Sequence, residues 1–196
     1  MFSPNIEDIQ FLFESTGQSI SINNVATQAI ITNTTLAAHE KKHIHTINPI
    51  KMGDLVTIDD ESYLITSDTA IKRYGKYKAI MEHCNFTITI KVITRVLMRD
   101  EYGNVVYDAG GNPVWIKIEG EPILVPSIID QQSFTIEGNQ LRVANNQILA
   151  IVQDNETNRD KLKVNNTFTF VGDYKVLNMD YTNKGLLILT AEKTTS

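Results

Sequence analysis

The sequence predicts a mainly β protein with two small antiparallel β barrel or sandwich modules and a short N-terminal helix. Three observations predict this fold class. Short runs of β-branched and aromatic residues recur along the chain, and turns rich in Gly, Asn and Asp separate them. One run, at residues 86–92, alternates strictly between apolar and polar positions, as a half-buried strand does.

The first residues predict the helix. Ser3 can cap it, Pro4 occupies the favoured first position, and the acidic pair Glu7 and Asp8 suits the positive end of the helix dipole. Gly17 is where we expect the helix to end.

The domain organisation follows from the spacing of the β runs. Residues 1–50 are predicted to form the N-terminal helix and an extended arm whose order depends on neighbouring molecules, because residues 19–49 alternate only weakly. Residues 51–125 form a first β module and residues 126–196 a C-terminal β sandwich or barrel. Pro122, Pro126 and the polar residues after them place the boundary between the modules near 125–132.

The first module begins with a hairpin of residues 55–58 and 63–66 around a polar turn. After the alternating run at 86–92, turns at 100–104 and 108–113 lead into a strand at 114–118. This last strand contains Trp115, which is predicted to anchor the core or rim of the module. The C-terminal module has five short runs, at 134–136, 148–152, 167–171, 174–177 and 186–190.

Composition limits the function classes. The net charge of −5 argues against a general nucleic-acid binder. One local exception is the basic segment Lys72, Arg73, Lys76 and Lys78, either a solvated hairpin tip or a surface that faces DNA or an acidic partner. A single cysteine excludes an intrachain disulfide, and no secretory signal or membrane span is expected, which favours an intracellular assembly compartment.

Histidines suggest one candidate metal site. His39 and His43 would share a face if residues 39–45 were helical, with Glu40 beside the first histidine as in helix-borne zinc proteases. The pattern lacks a convincing third ligand, because His83 is the one histidine after the segment 39–45, which ends in His45. A polar solvated segment is the alternative interpretation, and no metal or cofactor is predicted.

Cys84 is the candidate nucleophile. It follows His83 directly, but neighbouring residues on a strand point to opposite faces, so the pair is badly placed to exchange a proton. A small buried hydrophobic residue just before a strand is the favoured interpretation of Cys84. We therefore predict no catalytic residue and no enzymatic activity.

Two stretches resemble neck proteins of tailed phages and prophages of Gram-positive bacteria. The first has a Gly-Asp-hydrophobic hairpin at Gly53-Asp54-Leu55, a tyrosine-containing linker at 74–77 and a Met-x-x-Cys-Asn strand from Met81 to Asn85. The second runs from Ile151 through Tyr174 to Leu187 and is similar to the C-terminal β module of the same proteins. Together they cover about two thirds of the chain.

The resemblance implies a virion protein of the head-tail junction, either for head closure or as a connector. Such proteins act as homo-oligomeric rings beneath the portal, retain packaged DNA and provide the platform on which the tail docks. The implied partners are portal or adaptor and tail proteins, with passing contact to DNA and none to a membrane. The implied location is the neck of the virion, and the host cytoplasm during assembly. The alternative is a non-catalytic β-sandwich module that binds a cell-surface glycan or receptor.

Overall fold

A computed structural model describes residues 6–34, 40–72, 75–130, 133–136, 139–142 and 146–194. The fold is mainly β, with two six-stranded antiparallel barrels and a short N-terminal helix, which confirms the predicted fold class. The elements in chain order are α1 (Ile6–Thr16), β1 (Gln18–Ile22), β2 (Val25–Asn33), β3 (Lys41–Thr46), β4 (Leu55–Ile58), β5 (Glu61–Ile65), β6 (Ala70–Lys72), β7 (Lys76–His83), β8 (Phe86–Ile90), β9 (Ile93–Leu97), β10 (Trp115–Glu119), β11 (Ile123–Asp130), β12 (Ser133–Ile136), β13 (Asn139–Arg142), β14 (Gln147–Gln153), α2 (Glu156–Lys161), β15 (Thr167–Thr169), β16 (Asp173–Asp180) and β17 (Leu186–Lys193).

Helix α1 ends at Thr16, as predicted. The Gly17 N–H donates to the Phe13 carbonyl at 2.9 Å and closes the last turn. Ile9 and Phe13 are buried on the side that contacts β2. The predicted cap at Ser3 and Pro4 lies outside the described residues.

The first barrel has the strand order β3-β2-β1-β4-β5-β7 and is closed by pairing of β3 with β7. Strand β6 pairs with the start of β7. The predicted hairpin is β4 and β5, and its turn is tighter than expected, because Asp59 and Asp60 form a two-residue connection with φ of 47° and 69°. Positive φ at both positions is typical of the type I′ turn that matches strand twist.

The described residues within 19–49, which are 19–34 and 40–49, differ from the predicted arm. They contain β1, β2 and β3, which are half of the first barrel. Alternation is weak because Ile20 and Ala29 are the buried side chains of β1 and β2, while other inward-facing positions, such as Ile22 and Ile31, are only partly buried. Their order comes from pairing within the same chain.

The second barrel has the closed order β11-β14-β17-β16-β15-β8 and includes the predicted C-terminal runs except 134–136, which forms the separate hairpin β12-β13. Strand β8 pairs with β11, so the boundary between barrels lies at Cys84 and Asn85 and not near 125. Pro126 is accommodated inside β11 because β14 pairs with that strand only from Ser127 onward. The short helix α2, capped by Asn155, was not predicted from the sequence.

The two barrels share a buried apolar interface. It comprises Leu64, Cys84, Ile128, Leu149, Ile151, Leu186 and Ile188, with Met52 and Leu55 packed against it. The backbones touch at Gly53 and Gly185, where a Cβ on Gly53 would lie 1.9 Å from the Gly185 carbonyl oxygen. Gln153 crosses the same contact and donates to the Gly53 carbonyl at 3.0 Å. The barrels therefore pack as one unit.

Candidate functional site

A long excursion leaves the second barrel between its neighbouring strands β8 and β11. We call residues 91–122 the protruding ribbon. Its stem is the hairpin of β9 and β10, and each residue of β10 is exposed. The whole excursion contains no buried residue. Because an isolated two-stranded hairpin is marginally stable in water, a ribbon of this length on the surface is the candidate interaction element of the molecule.

The ribbon exposes large apolar side chains on both faces of its stem. Ile93 and Trp115 lie on one face, while Ile116 and Ile118 lie on the other, as the register of β9 and β10 requires. Trp115 is 56% exposed, so the prediction that it anchors the core or rim is wrong. The prediction relied on the size and sequence context of Trp115. Strand β10, which carries this residue, has no second layer of protein to pack against.

One face of the stem carries two cations and, nearer the barrel, Glu119. Arg95 and Lys117 are directly opposite each other and line an open cleft of about 410 Å³ together with Trp115. Like charges opposite each other destabilise a sheet. Neither side chain has an ion pair or hydrogen bond within the described part of the chain, which leaves both available to an acidic partner.

The ribbon tip is built from two turns with the same bonding. In the first, the Asp100 carboxylate accepts from the backbone N–H groups of Asn104 at 2.8 Å and Tyr102 at 2.9 Å. In the second, Asp108 accepts from Asn112 at 2.9 Å and Gly110 at 2.8 Å. The backbone donors, Asn104 and Asn112 foremost, hold the pKa of both carboxyl groups below their ordinary range. These bonds pre-organise an otherwise exposed tip, which presents Tyr102 and Tyr107 to solvent.

The basic segment lies elsewhere, on the β6-β7 hairpin of the first barrel. Lys72 pairs with Lys76, and Lys78 pairs with Ala70 on β6 and with His45 on β3. Tyr77 packs on the core, so Lys76 and Lys78 project from the outer face and are half-buried. Arg73 and the Lys72 side chain lie outside the described residues, and contact of this segment with DNA stays a prediction.

The histidine segment is a strand and not a helix. His43 and His45 therefore share the outer face of β3, with ring centroids 6.5 Å apart. Burial, followed by the charge of Lys78, lowers the pKa of His43. His39 lies outside the described residues, and among the described ones no three His, Cys, Asp or Glu side chains gather as a metal site would need.

Cys84 is buried at the interface between the barrels, which confirms its predicted packing role. Burial, with a smaller contribution from the charge of Glu82, raises the pKa of its thiol to about 12. The His83 ring stacks edge-on against Tyr63 at 5.2 Å. A thiol with this pKa is a poor nucleophile at neutral pH.

A polar cluster that the sequence did not predict surrounds Tyr63. Its hydroxyl accepts from Lys42 Nζ at 2.7 Å and donates to Glu61 Oε2 at 2.7 Å, and Lys42 also pairs with Glu40 at 2.9 Å. Burial raises the pKa of Tyr63 to about 12, which keeps the hydroxyl protonated as a donor. In the sequence, the alternation of Glu40 with Lys42 was the one sign of this cluster. The cluster provides hydrogen-bond partners for polar groups at the rim of the first barrel.

Several residues of the motifs that carry the resemblance to neck proteins lie at the junction between the barrels. Gly53 makes the backbone contact, and Asp54 accepts from Asn23 Nδ2 at 2.8 Å. In the Met-x-x-Cys-Asn strand, Met81 lies in the first core, while the Asn85 side chain bonds both backbone groups of Ile129 in the second barrel, at 2.8 and 2.9 Å. These residues hold the barrels together, whereas the end of the tyrosine-containing linker lies in the β6-β7 hairpin.

No helix in the described part of the chain is long and apolar enough to cross a bilayer. Comparison with curated proteins and with solved structures finds no match. Two family descriptions do match: the YomX N-terminal domain over residues 1–83 and the YomX C-terminal domain over residues 86–192. The limits of these domains coincide with the two barrels, and the protruding ribbon lies within the second. The chain therefore belongs to the YomX family, a phage-derived family of SPbeta-like prophages.

Proposed function

We propose that this protein is a structural subunit of the phage head-tail junction, where it closes the head or connects it to the tail. The observation that carries the proposal is the protruding ribbon, whose apolar side chains are exposed on both faces of the stem. Exposed apolar surface of this kind marks interaction sites. Membership in a phage-derived family and the resemblance to neck proteins support the proposal.

The proposed role requires no catalysis, and we take the protein to be non-catalytic. Cys84, the nucleophile that the sequence suggested, is buried and has a raised pKa. Tyr63, a second buried side chain with an ionisable group, is held as a hydrogen-bond donor by its neighbours. Both side chains are explained by packing.

In this role the protein forms a homo-oligomeric ring that contacts portal or adaptor proteins on one side and tail proteins on the other. Its location is the neck of the virion, after assembly in the host cytoplasm. The outward face of β7, with Lys76 and Lys78, is the proposed contact to packaged DNA together with Lys72 and Arg73. Reversal of Lys76 and Lys78 to Glu is expected to give particles that lose DNA.

Immunogold electron microscopy of phage particles, with antibody against the purified protein, tests the location. We expect label at the head-tail junction. Particles of a phage that lacks the gene serve as the control for antibody specificity. Particles without label, in preparations where antibody to a known capsid protein labels well, would contradict a virion role.

A receptor-binding or glycan-binding module is the second candidate. It is favoured by the exposed aromatic side chains of the ribbon, Tyr102, Tyr107 and Trp115, which are suited to stacking on sugar rings. Label at the tail tip would support this candidate. Binding of the purified protein to host cell walls that is lost in Trp115→Ala would support it independently.

A further inference from the structure

Helix α1 presents a second exposed surface that is opposite in charge to the ribbon stem. Its charged residues are Glu7, Asp8 and Glu14, and it has no Lys or Arg. The helical period places Glu7, Phe11 and Glu14 on one side, away from the buried Ile9 and Phe13. Phe11 is 70% exposed, so this face carries an apolar side chain between two carboxylates.

The ribbon stem has the complementary arrangement. Arg95 and Lys117 stand beside Trp115 on one face of the stem, and the two cations are opposed without an acidic partner in the described residues. Trp115 with a pair of cations on one side therefore complements Phe11, which lies between two carboxylates, and Glu119 on the same stem face lies beyond the cation pair from Trp115. Within one molecule α1 packs on β2 of the first barrel and the ribbon leaves the second, and both surfaces remain exposed.

We propose that the ribbon stem of one molecule binds the outer face of α1 on a second copy of this chain. The proposal rests on the function proposed above, because it identifies the contact between neighbouring ring subunits. A contact between two different patches of the same chain is head-to-tail, and repetition of such a contact closes a ring when the rotation allows it. The second copy is favoured as occupant because both charge and apolar character match.

A cross-linking experiment tests the contact directly. Gln10 lies between Glu7 and Glu14 on the helix face, and Glu119 is on the same face of the stem as Lys117 and Trp115. One protein carries Gln10→Cys and the other Glu119→Cys, and the two are mixed at about 1 mM total protein under mild oxidation. We expect a disulfide-linked pair, because at this concentration even a contact with a Kd of about 1 mM is formed in a substantial fraction of the molecules. Cys84 stays in place because its buried thiol is out of reach.

Matched controls separate a specific contact from random collision. Thr94→Cys places the thiol on the opposite face of the stem, and we expect at most background cross-linking with Gln10→Cys. The double reversal Arg95→Glu with Lys117→Glu is expected to slow cross-linking at least about 10-fold. The same charge change at the exposed Lys184 and Lys193, away from the ribbon, is expected to have little effect.

Compensation is the decisive outcome. Cross-linking of the Arg95→Glu, Lys117→Glu stem should return to within about threefold of the original rate when its partner carries Glu7→Lys and Glu14→Lys. Failure of the swap to restore the rate, or equal cross-linking through Thr94→Cys, would overturn the contact. Binding of the stem to DNA through Arg95 and Lys117, without any cross-link, would assign this surface to DNA instead and also overturn it.

The two proposals fail separately. Gold label at the neck without the cross-link would leave the head-tail role in place and remove this contact between subunits. The cross-link without neck label would retain the contact and remove the proposed location.

Discussion

Gly53 and Gly185 are the single residues on which the joint between the barrels depends. Both have positive φ, 87° and 83°, and a Cβ at either position would overlap backbone of the other barrel. We expect Gly53→Ala to lower the free energy of unfolding by more than about 4 kcal/mol, since backbone strain of about 1–3 kcal/mol is added to a collision that no side-chain rotation relieves. Urea unfolding followed by circular dichroism measures the loss.

Gly103 is the matched control for this prediction. Its φ of 84° is nearly the same, and its Cβ would meet nothing within 4 Å. Gly103→Ala should therefore cost at most the strain, about 1–3 kcal/mol, and less where the ribbon tip relaxes without unfolding the barrels. Equal losses in the two variants would show that the close approach of the barrels contributes nothing.

The sequence identified several of these residues without their roles. Gly53, Cys84 and Asn85 were recognised as parts of motifs, and their partners, Gly185 and Ile129, lie far along the chain. Sequence spacing contains no information on such long-range pairing. Burial of Cys84 was predictable from its type, whereas the exposure of Trp115 depends on the absence of a covering layer within its own molecule.

At the scale of elements, the two turns of the ribbon tip depend on ionised carboxylates. Backbone donors lower the pKa of Asp100 and Asp108 in the fold, so their contribution is present above the ordinary value of 3.8 and is lost as the pH falls through the lower folded value. We expect the amide signals of Asn104 and Asn112 to shift together in this acid window, measured by NMR. Asp100→Asn, which keeps an oxygen acceptor, should abolish the shift of Asn104 alone.

The ribbon as a whole is expected to be dispensable for folding. The Gly120 N–H donates to the Val92 carbonyl at 2.9 Å, so a two-residue Asn-Gly turn can replace residues 93–119 and join β8 to β11 directly. Because no residue of the excised segment is buried, the melting temperature should change by less than about 4 °C. Calorimetry checks this value.

The same excision is expected to abolish assembly in the phage. Particles from a phage that carries the shortened gene should lack the protein at the neck, although the purified protein folds. Normal incorporation of the shortened protein would contradict the role of the ribbon as a binding element.

The sequence predicted strands well where one face of the strand is buried in a core. It predicted them poorly where the strand is ordered mainly by pairing with its neighbours. The strict alternation of residues 86–92 and the runs of the second barrel identified strands, because their inward faces pack in a core. Strands β1 and β2 bury so few side chains that composition suggested an arm. The boundary predicted near residue 125 is wrong because Pro126 lies in a strand with one open side and not in a linker.

At the scale of the whole molecule, the shared interface predicts that the two barrels unfold together. Seven buried side chains from both barrels meet there, and a molecule that loses one barrel would expose this apolar cluster on the other. Cys84 lies inside the cluster and reports on its opening. At pH 8 we expect iodoacetamide to label the folded protein about a thousand times more slowly than the urea-unfolded chain, because burial removes access and raises the thiol pKa to about 12.

The midpoint of labelling in urea decides between one unit and two. If the barrels unfold together, the labelling midpoint coincides with the loss of β signal in circular dichroism, and a single transition accounts for both. Labelling at lower urea, while most of the β signal persists, would mean that the barrels separate first. Leu149→Ala, which truncates a side chain in the same interface, should shift both midpoints equally, by an amount equivalent to about 2–5 kcal/mol. A shift of the labelling midpoint alone would show that the interface opens while each barrel stays folded, and the ring subunit would then be hinged and not rigid.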